Sequence, residues 1–330
     1  METERNFNFV VKLTTNCPAN CKCCANRKRE FKLKNENNKI FDISIFEKIC
    51  INIKKVGGHY VCLSGGEPTM VSNIEEYLKI AHDNGLAIRM NTNGWEITEE
   101  KLTKWLSLGL EQIVLSVYSL NKITTKNIRG NEILFNKVIN AAKVIKNLKP
   151  KNNFTFIVQT VIMRENYKEM ADLLDFAIKH EADFFWPSYL EDAINLLEIR
   201  MPKEDIVNFK NEVIPQMKSV VEKSVFSTEH KEHLKKCINN LYKDEFDGYI
   251  YHKEDFNCYW LRNHLTFYPN GTIYPCPAHE YFSSKNQYKL DYSLIDDFLT
   301  IENLNKNINS KSIHYRYCPQ GVYQELKLRS

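Results

Sequence analysis

The sequence predicts an α/β protein built on a largely parallel sheet. Three observations carry this. Short β-branched and aromatic runs alternate with amphipathic stretches six times between residues 10 and 190, and parallel strands need such helical crossovers. The predicted strands end in loops bearing Gly, Asn, Ser and Arg, where parallel βα units place their ligands. With 43% hydrophobic and 26% charged among 330 residues, the chain has room for one large α/β domain and a small second one.

The elements follow in order. Val10, Val11 and Leu13 open a first strand. Ile45, Phe46, Ile49, Ile53 and Val56 fall on one face of a helix over residues 41–56, with Asp42 or Ser44 as cap. Gly57 and Gly58 end it before a strand at 59–63, which runs into Ser64, Gly65, Gly66, Glu67 and Pro68. Residues 74–84 are helical, and the strand at 86–90 ends in Asn91-Thr92-Asn93-Gly94. Thr98 caps a helix to residue 108; a strand at 112–117 carries Ser116; KNIRG at 126–130 precedes a helix over 131–148. Residues 154–163 form the fifth strand, bearing Gln159, with Asn166 just beyond it. Residues 167–180 form a helix and 183–186 the sixth strand. Two helices follow within 190–242, on Ile206, Phe209, Val213, Met217 and Val220, then Leu234, Cys237, Ile238 and Leu241.

The formal charge of +4, from 45 basic and 41 acidic residues, argues against steering toward nucleic acid. The polar N-terminus lacks the apolar core of a secretory signal, and no run approaches the length of a membrane span. Ten cysteines without such a signal point to a cytoplasmic protein with reduced thiols and metal ligation.

Three of those cysteines, Cys17, Cys21 and Cys24, lie in a loop at C-x3-C-x2-C spacing, with Cys23 between the last two. Clustered thiols among Pro18, Asn20 and Lys22 suit a soft metal, zinc or an iron–sulfur cluster. Structural zinc sites close four positions, commonly from two C-x2-C pairs; this loop offers three ligands. The cysteine spacing just after an N-terminal strand, followed one strand later by GGEP, resembles the radical S-adenosylmethionine (SAM) enzymes. The resemblance implies a partial (β/α)6 TIM-like barrel open on one side. It implies a [4Fe-4S] cluster on Cys17, Cys21 and Cys24 whose open iron chelates SAM. An electron from that cluster then cleaves SAM to a 5′-deoxyadenosyl radical. It further implies SAM contacts from Gly65, Gly66, Glu67 and Pro68 at the methionine amino group, and from Asn93 and Ser116 at strand ends. Arg129 falls to the SAM carboxylate, and Gln159 or Asn166 to the ribose. Many relatives carry a bulky residue near the adenine where this chain has Cys23.

The segment LTFYPNGTIYPC at 265–276 reads as a hairpin turning at Pro269-Asn270-Gly271. With Cys258 before it and Cys276 at its end, it resembles the SPASM and twitch extensions that bind auxiliary clusters. That implies one auxiliary [4Fe-4S] cluster on Cys258, Cys276 and Cys318, with His279, His314 or a substrate atom as fourth ligand. A full SPASM domain has more cysteines than this tail, and a twitch domain usually closes with C-x2-C, whereas Cys318 stands alone. The expected organisation is a barrel at 1–190, a helical linker at 191–250 and an auxiliary domain at 251–330.

The resemblance implies hydrogen abstraction from a substrate, most simply a ribosomally made peptide that is cross-linked, epimerised or oxidised. A radical SAM dehydrogenase or epimerase of a small molecule such as an aminocyclitol is the alternative. A non-catalytic iron–sulfur redox sensor is a third, which leaves GGEP and Arg129 unexplained. The chain begins almost at the first barrel strand, so no separate N-terminal peptide-recognition domain is expected. An epimerase would need a thiol donor, for which Cys23, Cys50, Cys62 and Cys237 are the unassigned cysteines. The expected partners are a peptide or small-molecule substrate and a reductant such as flavodoxin or ferredoxin.

Overall fold

The computed structural model describes residues 8–24, 39–189, 198–224, 228–239, 241, 264–274, 288–289 and 291–300. Its centre is a run of six parallel strands: β1 (Asn8–Thr14), β2 (Tyr60–Gly65), β3 (Ala87–Thr92), β4 (Leu110–Ser116), β5 (Thr155–Ile162) and β6 (Phe184–Tyr189). Each pairs in parallel with the next, from Phe9 opposite Val61 to Ile157 opposite Phe184. β6 is an edge strand and does not close onto β1. The result is the open, partial barrel that the sequence predicts. β6 runs three residues beyond its predicted end, through Pro187, which an edge strand tolerates because it can lack one ladder donor.

The crossover helices are α1 (Ile43–Lys55), α2 (Ile74–Asp83), α3 (Glu99–Ser107), α4 (Lys122–Arg129), α5 (Ile133–Leu148) and α6 (Met170–Lys179). Their starts follow local chemistry. The Asp42 carboxylate accepts from the Ser44 and Ile45 amides, and Lys54 and Lys55 sit at the opposite end of the α1 dipole. Thr98 accepts from the Lys101 amide at 3.2 Å, ahead of Glu99 and Glu100 in α3. Where the sequence reading takes residues 126–130 as a loop, the structure has the last turn of α4. Asn121 caps that helix and Gly130, at φ 67°, ends it.

Alternation along the strands sorts the sheet into two faces. Phe9, Val11 and Leu13, then Val61 and Leu63, then Ile88 and Met90 enter the core against the helices. The intervening Val10 and Lys12, Cys62 and Ser64, Arg89 and Asn91 therefore lie on the other, concave face. Cys62 lines that face and is not part of the helix-side core.

Beyond β6 come α7 (Lys203–Asn208), a π-helical turn (Phe209–Val213), α8 (Ile214–Lys223) and α9 (Thr228–Asn239). The first predicted helix is thus one run with a wide turn, and Pro215, which has no amide proton to donate, sits just after it. α8 packs on α6, and α9 on α8. Met217, Val221, Leu234 and Ile238 are buried.

The predicted hairpin forms as β7 (His264–Phe267) and β8 (Thr272–Tyr274), turning at Gly271 with φ 81°. β7 pairs in parallel with the free side of β1, and β9 (Tyr288–Lys289) pairs antiparallel with β8. The sheet thereby reaches nine strands in the order β6-β5-β4-β3-β2-β1-β7-β8-β9. A short helix follows, α10 (Ile295–Phe298). It packs on α1, where Asn52 Nδ2 donates to Asp296 Oδ1 at 2.6 Å. Cys258, Cys276 and Cys318 lie outside the described residues. Among the described residues, no helix is long and apolar enough to cross a membrane.

Candidate active site

The cysteine loop leaves β1 at Thr14 and is clamped from two sides. On one side, the Gly66 amide donates to Thr14 O at 2.6 Å and the Glu67 amide to Asn16 O at 2.8 Å. A Cβ on Gly66 would meet Asn16 O at 2.1 Å. The close approach that glycine permits here is therefore to the cysteine loop itself. On the other side, the Asn20 amide donates to Arg129 O at 2.7 Å, and the Lys22 amide to Ile128 O at 2.9 Å. Asn131 Nδ2 reaches Pro18 O at 3.0 Å. Gly130 serves both its positive φ and this contact, since a Cβ would meet Asn20 Cβ at 2.9 Å. Lys22 ties the loop to the end of β5 through Glu165, at 2.8 Å.

Within this frame Cys17, Cys21 and Cys24 are partly exposed and Cys23 is buried. Cys23 packs with Ile128, Met163 and Ile199 in a small second core beneath the loop. Burial pushes the Cys17 thiol up to about 12, so a metal must displace its proton to bind. No three ligating groups among the described residues surround a single-ion position. A multi-iron cluster takes one thiolate at each of several irons and has no such requirement.

Glu67 is fully enclosed, and its carboxylate is spent on structure. It accepts from the Thr69 amide and hydroxyl at 3.2 and 2.7 Å, from the Thr92 hydroxyl at 2.5 Å and from the Asn93 amide at 2.6 Å. Burial raises its pKa, and these four bonds offset part of that. The carboxylate thus locks the end of β3 onto the GGEP turn. Pro68, buried, opens the short turn that follows. Asn93 in consequence faces the loop, with Nδ2 3.6 Å from Cys17 Sγ.

Arg129 approaches from α4 and is also buried. Its Nη1 donates to Ser116 O at 3.0 Å, and its guanidinium carbon lies 4.9 Å from the Tyr118 ring centroid. The Nε atom is buried without an acceptor. Buried donors are nearly always paired, so this one stands out among the described residues. Ser116, the last residue of β4, and Gln159, three residues short of the end of β5, are register partners, both partly exposed. Asn166 is corrected: it is wholly buried, accepts from the Met163 amide and donates to Tyr118 O and Val161 O. Both amide protons are spent and the side chain is sealed from solvent, so it offers nothing to a ribose.

The strand ends therefore bring together Cys17, Cys21, Cys24, Gly66, Glu67, Asn93, Arg129, Ser116 and Gln159. Cys62 lies lower on the concave face; burial first of all pushes its thiol up to about 11, with Arg89 and Lys12 opposing. Cys50 is in the helix-side core. Cys237 falls on α9. Sequence reasoning missed Tyr118 and the Lys22–Glu165 pair. An aromatic two residues past Ser116 was the available signal for the first; the second joins residues 143 positions apart, and nothing local announces it.

Residues 11–177, just over half of the chain, match the family profile of the Radical SAM superfamily. The chain belongs to the radical SAM superfamily. Among solved structures it is similar to SuiB of Streptococcus suis bound to S-adenosylmethionine, at TM-score 0.65 and 19% identity, over 93% of this chain and 68% of that one. SuiB bound to the precursor peptide SuiA gives TM-score 0.64 at 18% identity, over 93% and 67%. Native anSMEcpe with bound AdoMet gives TM-score 0.64 at 16% identity, over 96% and 87%. At these identities the likeness is one of fold. The radical SAM chain carries the donor set that a three-cysteine cluster needs, and a buried guanidinium with one donor open beside it.

Proposed function

We propose that the protein is a radical SAM enzyme acting on a peptide, with a [4Fe-4S] cluster held by Cys17, Cys21 and Cys24. The bound cluster and SAM supply a one-electron cleavage that yields a hydrogen-abstracting radical. The chain's own residues hold and orient. The Gly65–Gly66 turn, pinned to the cysteine loop, offers backbone groups to the methionine amine. Arg129 takes the methionine carboxylate with the donor that has no acceptor of its own, a geometry that suits a planar guanidinium. Asn93, Ser116 and Gln159 complete a polar rim. The open side of the barrel admits an extended substrate.

The observation that carries this reading is the unpaired Arg129 Nε beside a three-thiol loop at the strand ends. Peptide as the substrate class is supported by SuiB and anSMEcpe, both solved with peptides bound. Modifications by cross-linking, epimerisation or oxidation all begin with the same abstraction, and for epimerisation Cys62, protonated at neutral pH, is the first hydrogen-donor candidate and Cys237 the second. Cys258, Cys276 and Cys318 hold an auxiliary [4Fe-4S] cluster in this reading, and a flavodoxin or ferredoxin supplies electrons.

Anaerobic reconstitution tests both parts. Wild-type protein with dithionite and SAM is expected to release 5′-deoxyadenosine and to bind about eight irons, in two four-iron clusters. The Cys258/Cys276/Cys318→Ala variant is expected to bind about half as many and still cleave SAM. Saturation of the wild type at about four irons would remove the auxiliary cluster, and absence of 5′-deoxyadenosine would remove the radical reading.

A further inference from the structure

The concave face of the sheet carries a charge that the SAM site does not use. Ile88 and Met90 enter the helix-side core, so Arg89 between them lies on the concave face, level with Cys62 on β2 and Gln112 on β4. Its guanidinium carbon lies over the Tyr60 ring, 3.4 Å from the centroid, a contact that uses the ring face and accepts none of the N–H groups. Tyr60 is itself fixed. Its hydroxyl donates to Asn8 Oδ1 at 3.1 Å, Asn8 Nδ2 meets His264 Nδ1 at 2.8 Å, and His264 Nε2 meets Thr266 Oγ1 at 2.7 Å. The chain of bonds spans β2, β1 and β7, so the platform beneath Arg89 is rigid. Among the described residues Arg89 has no carboxylate partner and no hydrogen-bond acceptor. None of the inward positions on β1 to β5 is Asp or Glu, and Lys12 on the same face places Nζ 5.8 Å from the Tyr268 ring centroid.

We propose that Arg89 is a carboxylate-binding, specificity-determining residue of the substrate cavity, so that the substrate sends an acidic side chain or a free C-terminus into the barrel. A half-buried guanidinium held over a fixed ring is preorganised for a bidentate carboxylate, and a sheet face of one charge sign draws its opposite. SAM is not that ligand. Its one carboxylate sits with the methionine at the cysteine loop, whereas Arg89 lies four residues before Asn93, roughly 13 Å along the strand at about 3.3 Å per residue. This inference rests on the radical SAM reading above for where SAM lies.

The test titrates three capped probes into the reconstituted, SAM-loaded protein by calorimetry. N-acetylglutamate N-methylamide presents a side-chain carboxylate, N-acetylalanine a C-terminal one, and N-acetylglutamine N-methylamide neither. One of the two carboxylate probes is expected to bind at least about tenfold more tightly than the neutral one, and which of them does so identifies the source. Arg89→Met is expected to erase that preference and Arg89→Lys to keep part of it. If Arg89→Met does not fold by circular dichroism, Arg89→Gln takes its place. Equal binding of the three probes, no binding of any, or a preference that survives removal of the guanidinium would overturn the proposal. SAM cleavage by the wild type is followed in parallel. Its loss with the carboxylate preference intact would count against the radical reading alone.

Discussion

Glu67 and Arg129 are opposite charges buried on the two sides of the cysteine loop, at 1% and 2% exposure, and they end in opposite states. The Glu67 carboxylate is met by donors from the GGEP turn and from β3. Arg129 is met by the Ser116 carbonyl, the Cys21 thiol and the Tyr118 ring, and its Nε stays buried without a partner. A satisfied buried charge holds a structure together; an unsatisfied one is held ready for something that arrives later. On the proposed function, the β2–β3 side of the rim acts as scaffold and the α4 side as receptor, although sequence motifs point to both alike.

Four substitutions break or sharpen that contrast, from the largest expected effect to the smallest. Replacing Cys17, Cys21 and Cys24 together with Ala is expected to abolish 5′-deoxyadenosine formation while the apo fold persists, measured by chromatography and circular dichroism. The loop's backbone is clamped by Gly66, Glu67, Ile128 and Arg129 and does not depend on the thiols. Glu67→Ala is expected to cost about 3 kcal/mol or more in urea denaturation of the apo protein, because it leaves buried donors of Thr69, Thr92 and Asn93 without an acceptor. A loss under about 1 kcal/mol would move Glu67 from scaffold to ligand site.

Arg129→Met should leave apo stability closer to wild type than Glu67→Ala does, and weaken SAM binding by about one to two decades in Kd. Equilibrium binding to the reconstituted protein reads this directly, and an unchanged Kd would deny the receptor role. The smallest effect is expected far from the rim. Asp42→Ala should cost about 1 kcal/mol through loss of the α1 cap. The Ser44 hydroxyl and the Ile45 and Ser44 amides hold the Asp42 pKa below its ordinary 3.8. A depressed carboxyl stabilises above its unfolded pKa and loses that contribution as pH falls through the folded one. The difference between wild type and variant should therefore hold near neutrality and shrink below about pH 4, followed by thermal melts across that range.

Much of the site was legible beforehand because its signals are local. The cysteine spacing, the glycine pair before Glu67, the strand-end Asn93 and the αL glycine after Arg129 each occupy a few consecutive residues. The six strand–helix units were equally plain, since apolar periodicity needs no knowledge of neighbours. A second role of the glycines was not legible for the same reason. Their closeness to Thr14 and Asn16 joins two strands far apart in sequence, and only the parallel β1–β2 register brings it about.

By itself the sequence determined the order of strands and helices, the loop that carries the three thiols and the family to which the chain belongs. It also determined the hairpin at 264–274 but not its neighbour. Tertiary structure alone decided that β7 extends the sheet beside β1, that Asn166 is consumed by backbone partners, and that Arg89 sits over the Tyr60 ring on the concave face. It alone decided which of two buried charges would be satisfied. The physical reason is common to all four. Local propensity and period fix what an element is, whereas hydrogen-bond satisfaction depends on which other elements arrive beside it, and that is settled only when the sheet is assembled.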